Sequence, residues 1–523
     1  MTEASSDPYH PSLCCSSASC GGCTAARITR RKFLAKTGAL AAGGLALEGL
    51  PVVAANQNKP REAPSPASVP LKVQPVLIYQ IFERKQATSW RPWGGLLTER
   101  DANEEKERVG RELAALRATA KFPLEIMPLQ AVKDADQGAA VATGTHDVLI
   151  MYAAGGDTKT LEALTAVNKW NLMFVRHRSG PVYLWYEIAH PHYLRKAVDQ
   201  YGQPGMSVQD VVVDSPAELL WRLRALCGLK NTLGKRIVAV GGAGGWGTGG
   251  EQAPARAQQL WRLDIHTIPY ADLGERIKRA RQDEALLKRC QKDADRYLNQ
   301  KGVSLHTSKE FVSNAFVLTE IFKNLMAEAE TDTITINDCM STIMPLSETT
   351  ACLPLSLLND AGYMAFCESD FVVIPSGILL HYISGKPVFL NDPTYPHDGV
   401  VTLAHCTAPR KMDGQRLENA KILTHFESDY GAAPKVEMKK GQVITVLDPD
   451  FSSYCWRGFL GEIVDDPFLA ICRTQIDVQI RGNCDRLLEE TRGFHWMVSY
   501  GNYLQETGYA LKKVGVDWLD LSA

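Results

Sequence analysis

Residues 361–393, AGYMAFCESDFVVIPSGILLHYISGKPVFLNDP, carry the pattern on which the fold reading turns. Tyr363 to Cys367 is a short apolar run of strand character, and Phe371 to Ser384 places apolar residues at helical spacing. Gly385 supplies the residue that most readily ends a helix, and Val388 to Leu390 begins a second apolar run. Strand, helix, strand predicts a βαβ unit, whose right-handed crossover makes the two strands parallel. Each strand runs into a carboxylate, Glu368 after the first and Asp392 after the second. Both would then emerge at the sheet edge where open α/β folds bind ligands. Two carboxylates converging on one crevice suit a divalent metal, a proton shuttle, or both.

Upstream, the same alternation continues. Strand-like runs cover Pro75 to Phe82, Phe122 to Pro128, Asp147 to Ala153 and Leu172 to Val175. A charged helix from Glu99 to Ala120 and another from Leu161 to Lys169 separate some of them, which implies a parallel sheet. The loop after the first strand holds Trp90, Arg91, Pro92 and Trp93, either a platform on which a sugar ring could stack or a packed loop corner. A second α/β segment opens at Arg236 with Ile237 to Val240, followed by the glycine cluster Gly241 to Gly250. Gly242, Gly244 and Gly247 fit the spacing of a dinucleotide fingerprint. The next strand, Leu263 to Ile268, carries Asp264 within it instead of ending in a ribose-binding acid, so a glycine-rich turn is the simpler reading. Helices are expected over Leu273 to Asn299 and Ser308 to Ala329. Thr333 to Ile336 is a further strand running into Asp338, which could join the site or cap the next helix.

Downstream of Tyr395 the texture changes. Val400 to Ala404 is strand-like and ends at His405-Cys406, and short alternating segments follow at Lys421 to Phe426, Lys435 to Met438, Gln442 to Leu447 and Ile476 to Ile480. Gly493 to Gly501 sets His495 among aromatic residues, either as a packed histidine or as a functional one. The fold class expected is α/β: two Rossmann-like α/β domains, 71–230 and 231–390, followed by a β-rich, antiparallel, barrel-like domain, 391–523. The last boundary falls beside Asp392, which would put Glu368 and Asp392 on opposite walls of an interdomain cleft.

The 523 residues, 45% hydrophobic and 22% charged with a formal net charge of −2, describe an ordinary globular protein of two or three domains. No basic excess points to nucleic acid. At the start, Thr29-Arg30-Arg31-Lys32-Phe33-Leu34 is a twin-arginine pattern, followed by an apolar stretch from Gly38 to Leu50 and small residues at Val53-Ala54-Ala55. This predicts an export signal over residues 1–55, a linker over 56–70, and a periplasmic or otherwise extracytoplasmic protein with no stable membrane span beyond the signal. Cys14, Cys15, Cys20 and Cys23 precede the arginines without a matching second half for a metal site. The other nine cysteines are scattered singly and read as small buried hydrophobes.

A Glu, Asp and His set suits Mn²⁺ or a similar divalent ion. Such an ion, bound to vicinal oxygens of an open-chain sugar, would acidify the proton next to the carbonyl, and the carboxylates could move that proton through a cis-enediol. The segments Cys367-Glu368-Ser369-Asp370, Phe389-Leu390-Asn391-Asp392-Pro393, Ala404-His405-Cys406 and Phe494-His495-Trp496 together resemble the L-fucose isomerase and L-arabinose isomerase superfamily. The resemblance has motif support from about Arg236 to the C-terminus. It implies a ketol isomerase using Mn²⁺ or another divalent metal ion, with Glu368 and Asp392 as metal ligands and acid/base pair and His495 as third ligand. His405 matches a histidine that approaches the metal in the arabinose isomerase branch. The resemblance also implies a homo-oligomer, trimer or hexamer, acting on a small-molecule sugar. Family members are usually cytoplasmic, whereas this chain carries an export signal. Two other readings stand beside it: an exported carbohydrate-binding protein that has lost the chemistry, and an NAD-dependent oxidoreductase using Gly242, Gly244 and Gly247.

Overall fold

The computed structural model describes residues 68–523 apart from Val167, Asn168, Tyr201 and Pro204. The export signal read in residues 1–55, with its four cysteines, lies outside the described residues, as does most of the linker. The first sheet grows from β1 (Leu71–Ile78), whose residues are buried at all but one position, as a strand covered on both faces requires. In turn, β2 (Leu124–Ile126) and β3 (Gln130–Val132) line one side of β1, and β4 (Val148–Ala153), β5 (Trp170–Val175) and β6 (Val211–Val213) extend the other. Every pairing in this sheet is parallel.

A second parallel sheet contains β7 (Arg236–Val240) and β8 (Asp264–Ile268), while β9 (Val303–Leu305) leaves it for a small sheet further on. It is completed by β10 (Thr333–Ile336) and β11 (Met364–Phe366), in the order β11-β10-β7-β8. Strand order reverses between β7 and β10, so the chain leaves the sheet in opposite directions there and opens a crevice at the strands' C-terminal ends. The helix expected over Leu273 to Asn299 is two, Tyr270–Gln282 and Glu284–Leu298. Asp283 breaks the run in an extended conformation, and its carboxylate accepts from the Leu286 N–H at 2.9 Å to start the second helix.

The C-terminal part is a closed barrel. Its strands are β12 (Phe389–Pro393), β13 (Val400–His405), then, after β14 (Ala420–Leu423) and β15 (Ala433–Val436), β16 (Val443–Pro449), β17 (Cys455–Asp465), β18 (Thr474–Arg481) and β19 (Trp496–Tyr500). Around the barrel the order is β12-β13-β18-β17-β16-β19 and back to β12, antiparallel throughout. Val401, Leu403, Ile444, Val446, Phe459, Ile476, Val478, Trp496 and Val498 fill its core with no exposed surface. The pair β14 and β15 joins β9, and β20 (Asp517–Asp520) runs parallel to the start of β17.

One expectation is overturned here. The segment 361–393 is not a βαβ unit: β12 pairs with β13 and β19 of the barrel and has no pairing with β11. The helix between them, Ile374–Ser384, is buried on nearly every side and ends at Gly385 in the left-handed conformation, φ 65°. A crossover helix keeps one polar face; this one packs against β11, β19 and the helix Pro216–Thr232 at once. At the last contact a Cβ on Gly228 would fall 2.4 Å from Ile383, so glycine sets the approach distance. The helix therefore carries the chain out of the second sheet and into the barrel. No helix among the described residues is long and apolar enough to cross a membrane.

Candidate metal centre

Barrel register assembles three of the candidate residues. Asn391 faces Trp496 across β12 and β19, and Asp392 faces Ala404 across β12 and β13. Asp392, His405 at the end of β13 and His495 just ahead of β19 are thus neighbours at one barrel end, with donor atoms within 4.8 Å of one another. Glu368 arrives from the other side, on the loop that follows β11. Glu368 and Ser369 both adopt left-handed backbone, φ 63° and 45°, a conformation that a non-glycine residue holds only when its surroundings impose it. The glycine cluster imposes it: Gly244 donates to the Ser369 carbonyl at 3.2 Å and accepts from the Phe371 N–H at 3.0 Å.

The side chains converge. Glu368 Oε2 lies 3.4 Å from His495 Nε2, Glu368 Oε1 lies 3.8 Å from His405 Nε2, and Asp392 Oδ1 lies 3.2 Å from His495 Nε2. Both imidazoles are buried, whereas the Glu368 and Asp392 side chains keep 39% and 28% of their surface open to solvent. On its far side, His495 Nδ1 donates to Asp370 Oδ2 at 2.7 Å. The other oxygen of Asp370 accepts from the backbone N–H groups of Val372 at 3.0 Å and Trp246 at 3.2 Å. A buried carboxylate anchored in this way keeps the proton on Nδ1 and leaves the Nε2 lone pair facing Glu368 and Asp392. This carboxylate–histidine arrangement is the one that typically backs a metal-bound imidazole.

Two orphaned atoms mark the centre. His495 Nε2 and Asp392 Oδ1 are buried without a hydrogen-bond partner, because their mutual orientation closes no bond despite the short separation. Leaving a buried polar atom unpaired costs about 1–3 kcal/mol. Here two such atoms face each other beside a third donor, Glu368, and a fourth, His405 Nε2. A divalent ion would satisfy all four, and the residues present fit one. Electrostatics points the same way. Burial disfavours a charged His495, yet Asp370, Asp392 and Glu368 hold its pKa well above the usual range. His405 is raised against the same desolvation, by Glu368 and Asp392. Burial likewise opposes a charged Glu368, and the two imidazoles nonetheless hold it well below the ordinary carboxylate value. The cage attracts cations, and without a metal a proton takes that role.

Other candidates are held by local contacts of their own. The Asp338 carboxylate caps the turn that follows β10, taking the Ser341 N–H at 3.3 Å and the Thr342 hydroxyl at 2.9 Å. Trp90, Arg91 and Trp93 sit on a loop of the first sheet, with Arg91 over the Trp90 ring at 5.3 Å and Trp93 63% exposed. The acid–histidine cluster is built instead from the second sheet and the barrel. The sequence reading assigned no role to Asp370, Trp246 or Phe494. Asp370 follows Glu368 by two residues, a spacing that could have flagged it as a supporting acid. Trp246 and Phe494 stack at 3.7 Å and 11°, forming an aromatic wall beside His495. No protein-family model matches the chain, and no curated protein matches it either.

Proposed function

We propose that this protein is a metal-dependent aldose–ketose isomerase acting on a free sugar, with Mn²⁺ or a similar divalent ion held by Glu368, Asp392 and His495 and approached by His405. The observation that carries the reading is His495, locked by Asp370 so that Nε2 faces two part-open carboxylates. A pure nitrogen or sulfur set would favour zinc or copper; this oxygen-rich one suits Mn²⁺. The motifs resembling the L-fucose and L-arabinose isomerases fall on these same residues, and the reading takes the two parallel sheets as Rossmann-like domains of an exported homo-oligomer.

Bound there, the ion would polarise the sugar carbonyl as a Lewis acid. The chain's own residues do the rest. Glu368 and Asp392 flank His495 Nε2, so one carboxylate can take the proton next to the carbonyl and the other can return one to the neighbouring carbon. Asp370 keeps the imidazole from turning, and the Trp246–Phe494 wall offers an apolar face to the sugar's C–H side. The oxidoreductase reading loses support because Gly244 is engaged with the Ser369–Phe371 backbone and the following helix, Ala253–Trp261, begins well past Gly247.

The test is a panel of aldoses and ketoses incubated with protein and Mn²⁺ in D₂O and followed by NMR. Deuterium entering at the carbon beside the carbonyl, together with the partner sugar, is the expected result. Absence of both across pentoses, hexoses and deoxyhexoses would defeat the proposal.

A further inference from the structure

We infer that a second metal site, for a thiophilic ion such as Zn²⁺, lies directly behind the first, formed by Cys352, Cys406 and His425 with Cys472 as the fourth ligand. Donor atoms of Cys352, Cys406 and His425 lie within 4.8 Å of one another, and all three residues are buried. Four-coordinate Zn²⁺ with bonds of about 2.0–2.3 Å sets its ligands roughly 3.5–4 Å apart, so a small inward movement would bring these three to ligand distance, while Cys472, outside that group, would have to move further. Cys472 packs against the cluster formed by Cys352, Cys406 and Ala433, and its thiol interacts with that of Cys406.

Two details favour a site over a chance gathering of small hydrophobes. His425 Nδ1 is paired with the Ser428 hydroxyl at 3.2 Å, which leaves Nε2 as the free ring nitrogen. The Arg473 backbone N–H donates to Cys406 Sγ at 3.4 Å, a contact that favours a thiolate ligand. All three cysteines are free of disulfides. Their positions give the site a job. Cys352 starts the helix Cys352–Asp360, Cys406 follows β13, His425 follows β14 and Cys472 precedes β18. One ion would therefore tie that helix to two barrel segments and to the small sheet of β14, and clamp the backbone of His405, the neighbour of Cys406. Three sulfurs and one nitrogen, from three buried residues and the half-buried Cys472, would make a four-ligand structural site with no open position for substrate.

The proposal is independent of the isomerase reading. It is tested on the full chain with Cys14, Cys15, Cys20 and Cys23 changed to serine, so that thiolate signals come from the body. After loading with Zn²⁺ and dialysis against a weak chelator, X-ray absorption at the zinc edge should show sulfur neighbours at about 2.3 Å. Loading with Co²⁺ should give sulfur-to-cobalt charge-transfer absorption. Both signals should persist when Asp392→Asn and His495→Gln remove the first site. They should be lost in Cys352→Ser and weakened in the milder His425→Gln. Zinc held by nitrogen and oxygen neighbours only, or a Cys352–Cys406 disulfide with no zinc uptake after reduction, would overturn the assignment. The spectra of the chain carrying only those four serine changes decide even if a Cys352 variant fails to fold.

Discussion

Two clusters stand back to back across the peptide bond between His405 and Cys406, and they are built to opposite rules. One gathers two part-exposed carboxylates and two imidazoles at a barrel mouth, with a third carboxylate locking His495 from behind. The other gathers thiols and a histidine in the interior. Ligand chemistry and solvent access change together. Oxygen ligands beside open surface suit a hard ion that must exchange waters for substrate; sulfur ligands without access suit a soft ion that stays. On this account two residues adjacent in sequence would serve different ions, because a strand end points successive side chains to opposite sides.

The comparison predicts a hierarchy of effects. Glu368→Gln should cut solvent-proton exchange into substrate by about 10²–10⁴-fold while the circular dichroism spectrum stays native, since it removes a proton carrier at the surface of the site. Wild-type turnover in that variant would remove Glu368 from the chemistry. Asp370→Asn should weaken Mn²⁺ binding about 10–100-fold, because the amide no longer holds His495 in its tautomer, yet added metal should restore the stoichiometry. An unchanged affinity would reduce Asp370 to a loop anchor.

Proton competition separates the clusters further. The metal-free pKa of His495 lies well above the ordinary imidazole value, so below it a proton occupies the site. Mn²⁺ affinity should therefore rise with pH across the range in which that proton is lost, by up to about tenfold per unit for each proton released. Titration calorimetry in buffers of different ionisation enthalpy would count those protons, and none released would contradict a proton-occupied metal-free site.

The smallest effect concerns stability. Burial pushes Asp360, Glu418 and Asp448 up to about 7. A carboxyl group whose folded pKa is raised binds its proton more tightly when folded, so its stabilising contribution is complete below the unfolded value near about 4 and is lost as pH rises through about 7. For metal-free protein, the unfolding midpoint should fall between pH 5 and pH 8 on this account, and Asp448→Asn should flatten the fall. A midpoint that climbs over that range would show other groups dominating.

Much of the architecture could be read from local pattern. The buried runs at Val148–Ala153 and at residues 237–240 declare a parallel core because both of their faces are apolar. What escaped reading depended on partners distant in sequence. Helix Ile374–Ser384 followed by Phe389–Pro393 looks the same locally whether the strand returns to the old sheet or joins a barrel; Trp496–Val498, a hundred residues on, decides it. Strand β17 was hidden by Gly458 and Gly461, which resemble turn residues. They are glycine because side chains would fall 2.2 Å from Trp518 and 2.1 Å from Val478. Glu368, Asp392 and His495 could be singled out by type and position. The spacing of Asp370 from Glu368 marks it as an acid of interest, but whether it backs a ligand or caps a helix is decided by His495, 125 residues on. Cys352, Cys406 and Cys472 looked like isolated hydrophobes until the barrel brought them together.

Manganese binding followed by electron paramagnetic resonance tests the central claim most directly. With the full chain at neutral pH, the wild-type protein should sequester about one Mn²⁺ per chain, with binding abolished in His495→Gln and kept in Cys352→Ser. Equal Mn²⁺ binding by the wild type and the His495→Gln variant would contradict the assignment of this cluster as the metal centre.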